Sequence, residues 1–242
     1  TTLPVTPPDP SSSSQSRRWT RPAFLIGGVA LAAVVMGLPT LRGGFVGGDD
    51  HRLVLDHVLV NRPSLEHAIE LFTIVHRDLY QPLPLLMFSC EFVIARALNL
   101  FHSGSQGGAW LFHLTNVILH ALVTILVWYT VRMLNSRVRQ TLPSRGTHAN
   151  PGSSSTLVRP ARDGMRIAQH FNAGEQGGEA LPSAVGTTEF QSLAIATIAA
   201  LIFAIHPLNV ETVAWINGRM MLLSTLFGIC GILTFARWLD RL

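Results

Sequence analysis

Two adjacent carboxylates, Asp49 and Asp50, follow a glycine-rich approach (GGFVGG, Gly43 to Gly48) shortly after a long apolar run. A carboxylate held beside a membrane serves as a general base when its partner and surroundings tune its pKa. The same position also suits a helix N-cap, with one of the pair accepting a backbone N–H from a short helix opening near His51. His51, Asp56, His57, Glu66, His67, His76 and Asp78 crowd the segment that follows. These are ligand types for a divalent metal, yet no pair has a diagnostic spacing such as HExxH. No metal ligand is therefore assigned, and a divalent cation remains one open choice of cofactor.

A second polar group lies in HPLNVETVAWINGR, residues 206–219. Pro207 suits the first turn of a helix, and His206, Asn209 and Glu211 fall close enough to converge around its start. Arg219 closes the segment. A guanidinium binds two oxygens of a phosphate at once, which makes Arg219 a candidate clamp; the plainer use is an arginine snorkelling at a membrane interface. A third group, His113, Asn116 and His120 with Thr124, forms one narrow stripe along an otherwise apolar run. Such a stripe faces protein, where hydrogen bonds between helices are its usual role and ligand binding the alternative.

What must position these groups is a set of membrane helices. Of the 242 residues 48% are hydrophobic and only 13% are charged, against about a quarter charged in soluble domains. The net charge of +4 comes from arginine alone, since the chain has no lysine. The arginines flank apolar runs, as topology signals do, and leave no basic patch for nucleic acid. Cys90 and Cys230 lie in unrelated segments and build neither a disulfide framework nor a metal site.

Hydropathy and length give an all-α integral membrane protein with about four spans and one interfacial amphipathic helix. Residues 1–22 form a disordered cytoplasmic tail, poor in apolar side chains. The first span covers 23–40, an external loop 41–108, the second span 110–134, a basic cytoplasmic loop 135–189, the third span 190–206, a short external segment 207–219, and the fourth span 220–239. A cleaved signal peptide is the rival reading of the first apolar run. Within the external loop, Pro82 to Phe101 is apolar but interrupted by Ser89, Glu91, Arg96 and Asn99 on one half of the helical wheel, so it is expected on the interface. The positive-inside rule supports this count: with four spans, every arginine-rich segment falls on one side and both ends are cytoplasmic. Trp19, Trp110, Trp128, Trp215 and Trp238 all fall near expected span ends, as an aromatic belt requires. The chain opens without methionine and stops directly after an apolar helix, which suggests a piece of a longer protein.

The succession GGFVGGDD, YQPLPLLMF, FHLTNVILH and FAIHPLNVETVAWINGR, spanning about Gly43 to Leu226, resembles the membrane half of the transmembrane and tetratricopeptide-repeat O-mannosyltransferase-like proteins. Their bacterial relatives within the C-type (GT-C) glycosyltransferases share it. The resemblance implies a GT-C-like bundle, here partial, in the cytoplasmic membrane of a bacterium or the endoplasmic reticulum of a eukaryote. It also implies transfer of a sugar from a polyprenyl-phosphate carrier to an acceptor hydroxyl on protein or glycan, with inversion. Asp49 and Asp50 then take the place of the family's catalytic acidic pair, and His206, Glu211 and Arg219 line the donor-phosphate side of the cavity. Three positions depart from the family pattern: Gly48 replaces an aromatic residue, Gln81 an arginine, and Met221 an acid. The family's repeat domain is not visible, since no helical-pair period of about 34 residues occurs.

Two function classes follow. One is a polyprenyl-phosphate-sugar-dependent glycosyltransferase, or part of one, with Asp49 or Asp50 as base. The other is a non-catalytic membrane scaffold whose further repeats bind partners, which the missing acid at position 221 favours. A transporter would need polar or broken midplane helices and an internal repeat, and neither is evident.

Overall fold

In lipid every backbone polar group must be satisfied within the protein, so runs this long and apolar fold as helices. The computed structural model describes residues 10–75, 79–103, 108–141 and 184–241. Every regular element among them is helical: α1 (Pro10–Gly37), α2 (Val58–Asn61), α3 (Leu65–Glu70), α4 (Pro82–Ala97), α5 (Ala109–Thr141), α6 (Ala184–Ile205), α7 (Pro207–Ala214) and α8 (Arg219–Leu239). Three segments, Pro22–Arg42, Ala109–Arg139 and Ile216–Leu239, are long and apolar enough to cross a membrane. A fourth is gained if Glu189–Ile205 and Pro207–Ala214, bent by 54°, count as one broken span. The chain is an all-α membrane protein.

The long helices alternate in direction around α5. Gly37 at the end of α1 lies against Val117 near the start of α5, so close that a Cβ on the glycine would stand 2.6 Å from a valine methyl. At the other end of α5, Trp128 donates its indole N–H to Thr197 of α6 at 3.0 Å, and Arg137 meets Asp240 beyond α8 at 2.6 Å. Helices α1, α5 and α6 touch through Ala33, Ala121 and Ala204, small residues that let backbones approach closely in a bilayer. Outward-facing side chains stay apolar and exposed, including Phe24, Leu31, Ile202, Phe227 and Phe235. That is the surface a lipid environment calls for.

Above this frame, at the end where α1 stops and α5 starts, a second core gathers Phe45, Leu53, Val54, Val60, Leu71, Leu85, Phe88, Phe92, Phe112 and Ile216. Phe45 and Phe92 each meet the Phe112 ring edge-on, with centroids 5.2 and 5.4 Å away, a preferred aromatic geometry. The loop between the first two long helices is thereby folded down onto the bundle.

Three expectations are corrected. Helix α4 does not turn its whole polar half to water: Ser89 and Glu91 are buried, and only Arg96 and Asn99 stay exposed. The reason is a counter-charge inside the protein, described below. Trp128 does not serve in an aromatic belt either, since it is fully buried in the α1–α5–α6 core with the Arg132 guanidinium stacked on it at 5.3 Å. Helix α1 starts inside the segment 1–22 that composition reads as a tail. Residues 1–9, the side chain of Trp19, His76, Asp78 and most of the basic loop, with Arg145, Arg159, Arg162 and Arg166, lie outside the described residues.

Candidate active site

The acidic pair sits where the chain leaves α1 and turns back over the bundle. Gly48 has φ +89°, a left-handed conformation that costs a side-chain-bearing residue about 1–2 kcal/mol. A glycine there fits this backbone. The turn separates the two carboxylates. Asp49 is exposed, whereas Asp50 is fully buried.

Asp50 is not a helix cap. It precedes a short π-helical turn, His51–Leu55, with helical backbone angles and no side-chain bond to that turn. Its carboxylate instead accepts the Val46 N–H at 3.0 Å and, across the molecule, the Asn217 N–H at 3.2 Å. Burial pushes the Asp50 carboxyl above its ordinary range, partly offset by these two N–H groups and by nearby His113; neighbouring Asp49 pushes it further up. The bond to Asn217 ties the loop after α1 to the turn before α8, so the two polar segments 43–80 and 206–219 meet at one end of the bundle.

That turn is itself locked from below. Ile216, Asn217, Gly218 and Arg219 are all buried, and a Cβ on Gly218 would stand 2.2 Å from the Thr212 carbonyl oxygen. No larger residue fits without moving α7. Arg219 is fully buried and points into the protein. It donates from Nη1 to Glu91 Oε2 at 2.7 Å, from Nε to Asn116 Oδ1 at 3.1 Å and from Nη2 to the Phe112 carbonyl at 2.9 Å, with the Phe88 ring 4.3 Å from its guanidinium carbon. In this arrangement its fork is committed to the protein, not presented to a phosphate. Asn116 completes the lock by donating to the Trp215 carbonyl at 2.9 Å.

The other residues of interest are spread around this lock. His113 and His120 are buried, their Nε2 atoms 3.4 Å from the Gly44 carbonyl and 3.1 Å from the Ala204 carbonyl. With Asn116 they bind α5 to the acidic loop, to the turn before α8 and to α6. His206 is exposed and caps α7, its Nδ1 accepting the Leu208 N–H at 3.2 Å. Glu211 is exposed and lines a groove of about 400 Å³ with Asn209, Thr212, Trp215, Met221 and Thr225. This groove borders Gly218 but is not lined by Asp49 or Asp50. Gln81 is buried, and its amide bonds to nothing among the described residues.

Both Asp50 oxygens accept backbone N–H groups, and among the described residues no three His, Cys, Asp or Glu side chains converge as ligands. Glu91 and Asn217 are the contributors that motif reading passes over. A signal for Glu91 was present, since a lone carboxylate in an apolar helix asks for a buried cation.

Over 162 residues the chain is 25% identical to human protein O-mannosyl-transferase TMTC1 and 26% identical to its mouse counterpart. Each match takes in 67% of this chain but only 11% and 10% of those relatives, so the chain spans about a tenth of their length. No family model and no solved structure matches.

Proposed function

We propose that this chain forms the acidic-loop part of a membrane glycosyltransferase that moves a sugar from a polyprenyl-phosphate carrier to an acceptor hydroxyl on protein. The observation that carries the reading is the split acidic pair, an exposed Asp49 beside a buried, doubly anchored Asp50. It is supported by the similarity to proteins named O-mannosyl-transferase. Asp49 is the base, reachable by an acceptor, and Asp50 is the positioning residue that fixes the turn carrying it.

Asp49 takes the proton of the acceptor hydroxyl as its oxygen attacks the anomeric carbon. The carbon–oxygen bond to phosphate breaks, and the lipid phosphate departs with the bonding pair. A single displacement inverts the anomeric centre. A phosphate ester needs no acid to leave, so one carboxylate suffices. The carrier phosphate is not met by Arg219, which is enclosed; Arg52, three residues after Asp49, is an exposed cation on the same loop. In this reading the acidic end faces away from the cytoplasm and the arginine-rich end faces it. The lipid bilayer, the polyprenyl-phosphate sugar and the acceptor are the partners.

The test is release of polyprenyl phosphate by the longest natural form in membranes, offered a panel of polyprenyl-phosphate sugars. Asp49→Asn should abolish release at unchanged expression, while Asp50→Asn should reduce it. Release that survives Asp49→Asn removes the assigned base. The second reading, a scaffold without catalysis, is favoured by Met221, exposed in the Glu211 groove at a position where the resemblance implies an acid; it takes over if no donor is consumed.

A further inference from the structure

The opposite end of the bundle holds a cavity that the proposed chemistry does not use. It has a volume of about 480 Å³ and lies between the last turns of α5 and the first described turns of α6, lined by Tyr129, Arg132, Met133, Ser136, Arg139, Glu189 and Ser192. The two arginines are held without a carboxylate partner: among the described residues no acid lies within ion-pairing distance of either. Arg132 is stacked on the buried Trp128 ring. Among the described residues Arg139 hydrogen-bonds to the neutral amides of Asn135 and Gln191, each at 3.4 Å. Their guanidinium groups are thus placed by neutral neighbours, with charge left to satisfy.

Depth in the bilayer decides what can reach them. From Ala109, where the candidate span opens, the twenty steps to Tyr129 rise about 30 Å at 1.5 Å each, the thickness of the hydrocarbon core. The cavity therefore begins where the hydrocarbon ends, at the level of lipid headgroups. Tyr129 and Met133 extend it toward the acyl chains, while Ser136 and Ser192 add hydroxyls beside the arginines. Two arginines and one glutamate give the lining a net charge of +1, the complement of one phosphodiester. Basic pockets between membrane helices bind lipid headgroups by this means.

We infer that this cavity is a binding site for the phosphodiester of a membrane phospholipid, held by Arg132 and Arg139 and separate from the acidic end of the bundle. Arg–phosphate pairing is bidentate and charge-assisted, so losing both arginines weakens binding far more than losing a hydroxyl.

The test uses the purified full chain in detergent and native mass spectrometry with added phosphatidylglycerol, with diacylglycerol, which has the same chains but no phosphate, and with inorganic phosphate. Phosphatidylglycerol should remain bound one per chain and diacylglycerol should not, with retention about tenfold lower in the Arg132→Gln/Arg139→Gln variant, a change of about 1.4 kcal/mol. Inorganic phosphate should not displace the lipid at equal concentration, because it lacks the chains that Tyr129 and Met133 accept. Equal retention of diacylglycerol in the unaltered protein overturns the inference without any variant. So does displacement by inorganic phosphate, which would make this a site for the free ion.

Discussion

At the scale of the residue, Asp49 and Asp50 show how one dipeptide divides two tasks. The left-handed Gly48 sends one carboxylate to the surface and the next into the protein. The buried one should reveal itself by titration. Because Asp50 is held above its ordinary range in the folded protein, the fold binds its proton more tightly than the unfolded chain does. The stability gained from that proton is complete below the unfolded pKa and is lost as pH rises through the folded one. Thermal midpoints of the unaltered protein should thus fall relative to Asp50→Asn as pH rises from about 4 to about 8. A difference that stays flat or changes in the other direction would show that burial does not hold the Asp50 carboxyl above its ordinary range. The adjacency of the acids is plain in the sequence, but their division is not, since it depends on an Asn217 N–H that stands 167 residues away.

At the scale of the element, α4 and α8 are joined by a buried ion pair, Glu91 with Arg219 at 2.7 Å. Breaking such a pair from one side strands a charge and costs about 3–5 kcal/mol, whereas replacing both partners with apolar residues of similar size is often close to neutral. Glu91→Leu alone should therefore destabilise the fold strongly in detergent unfolding, and Glu91→Leu/Arg219→Met should recover most of the loss. Additive losses in the double variant would mean that the two side chains do not act as a pair. The apolar runs of α1, α5 and α8 are legible because lipid imposes a length and a hydropathy on any helix that crosses it. The inward turn of Glu91 is not legible from α4 alone. On a wheel, Ser89, Glu91, Arg96 and Asn99 share one half, and only the cation on another helix decides which of them face protein. Trp128 misleads for the same reason: its distance from the span end is readable, but the Thr197 hydroxyl that draws it inward is not.

At the scale of the whole molecule, the bundle has two chemically distinct ends, one built on the acidic loop and the turn before α8, the other on Arg132, Arg137 and Arg139. Cysteines placed singly at Glu66 and Ser136, with Cys90 and Cys230 changed to serine, should react with an impermeant thiol reagent from opposite sides of a sealed membrane. Labelling of both from one side would break the four-span arrangement. Helix α8 keeps much of its outer face bare, with Phe227, Ile232 and Phe235 each more than half exposed, a surface that suits lipid or further helices packed against it.

The Glu91–Arg219 pair also sets an order for biogenesis. The carboxylate emerges from the ribosome well before the arginine that neutralises it, and Arg219 stands at the very start of the last described helix. Until that helix is threaded into the bilayer, α4 can rest on α5 through Phe88, Phe92 and Phe112, but its carboxylate has no counter-charge. A chain stalled before Arg219 would display that orphan carboxylate to the cell's quality-control machinery, whereas arrival of α8 would supply its cation and mark maturation.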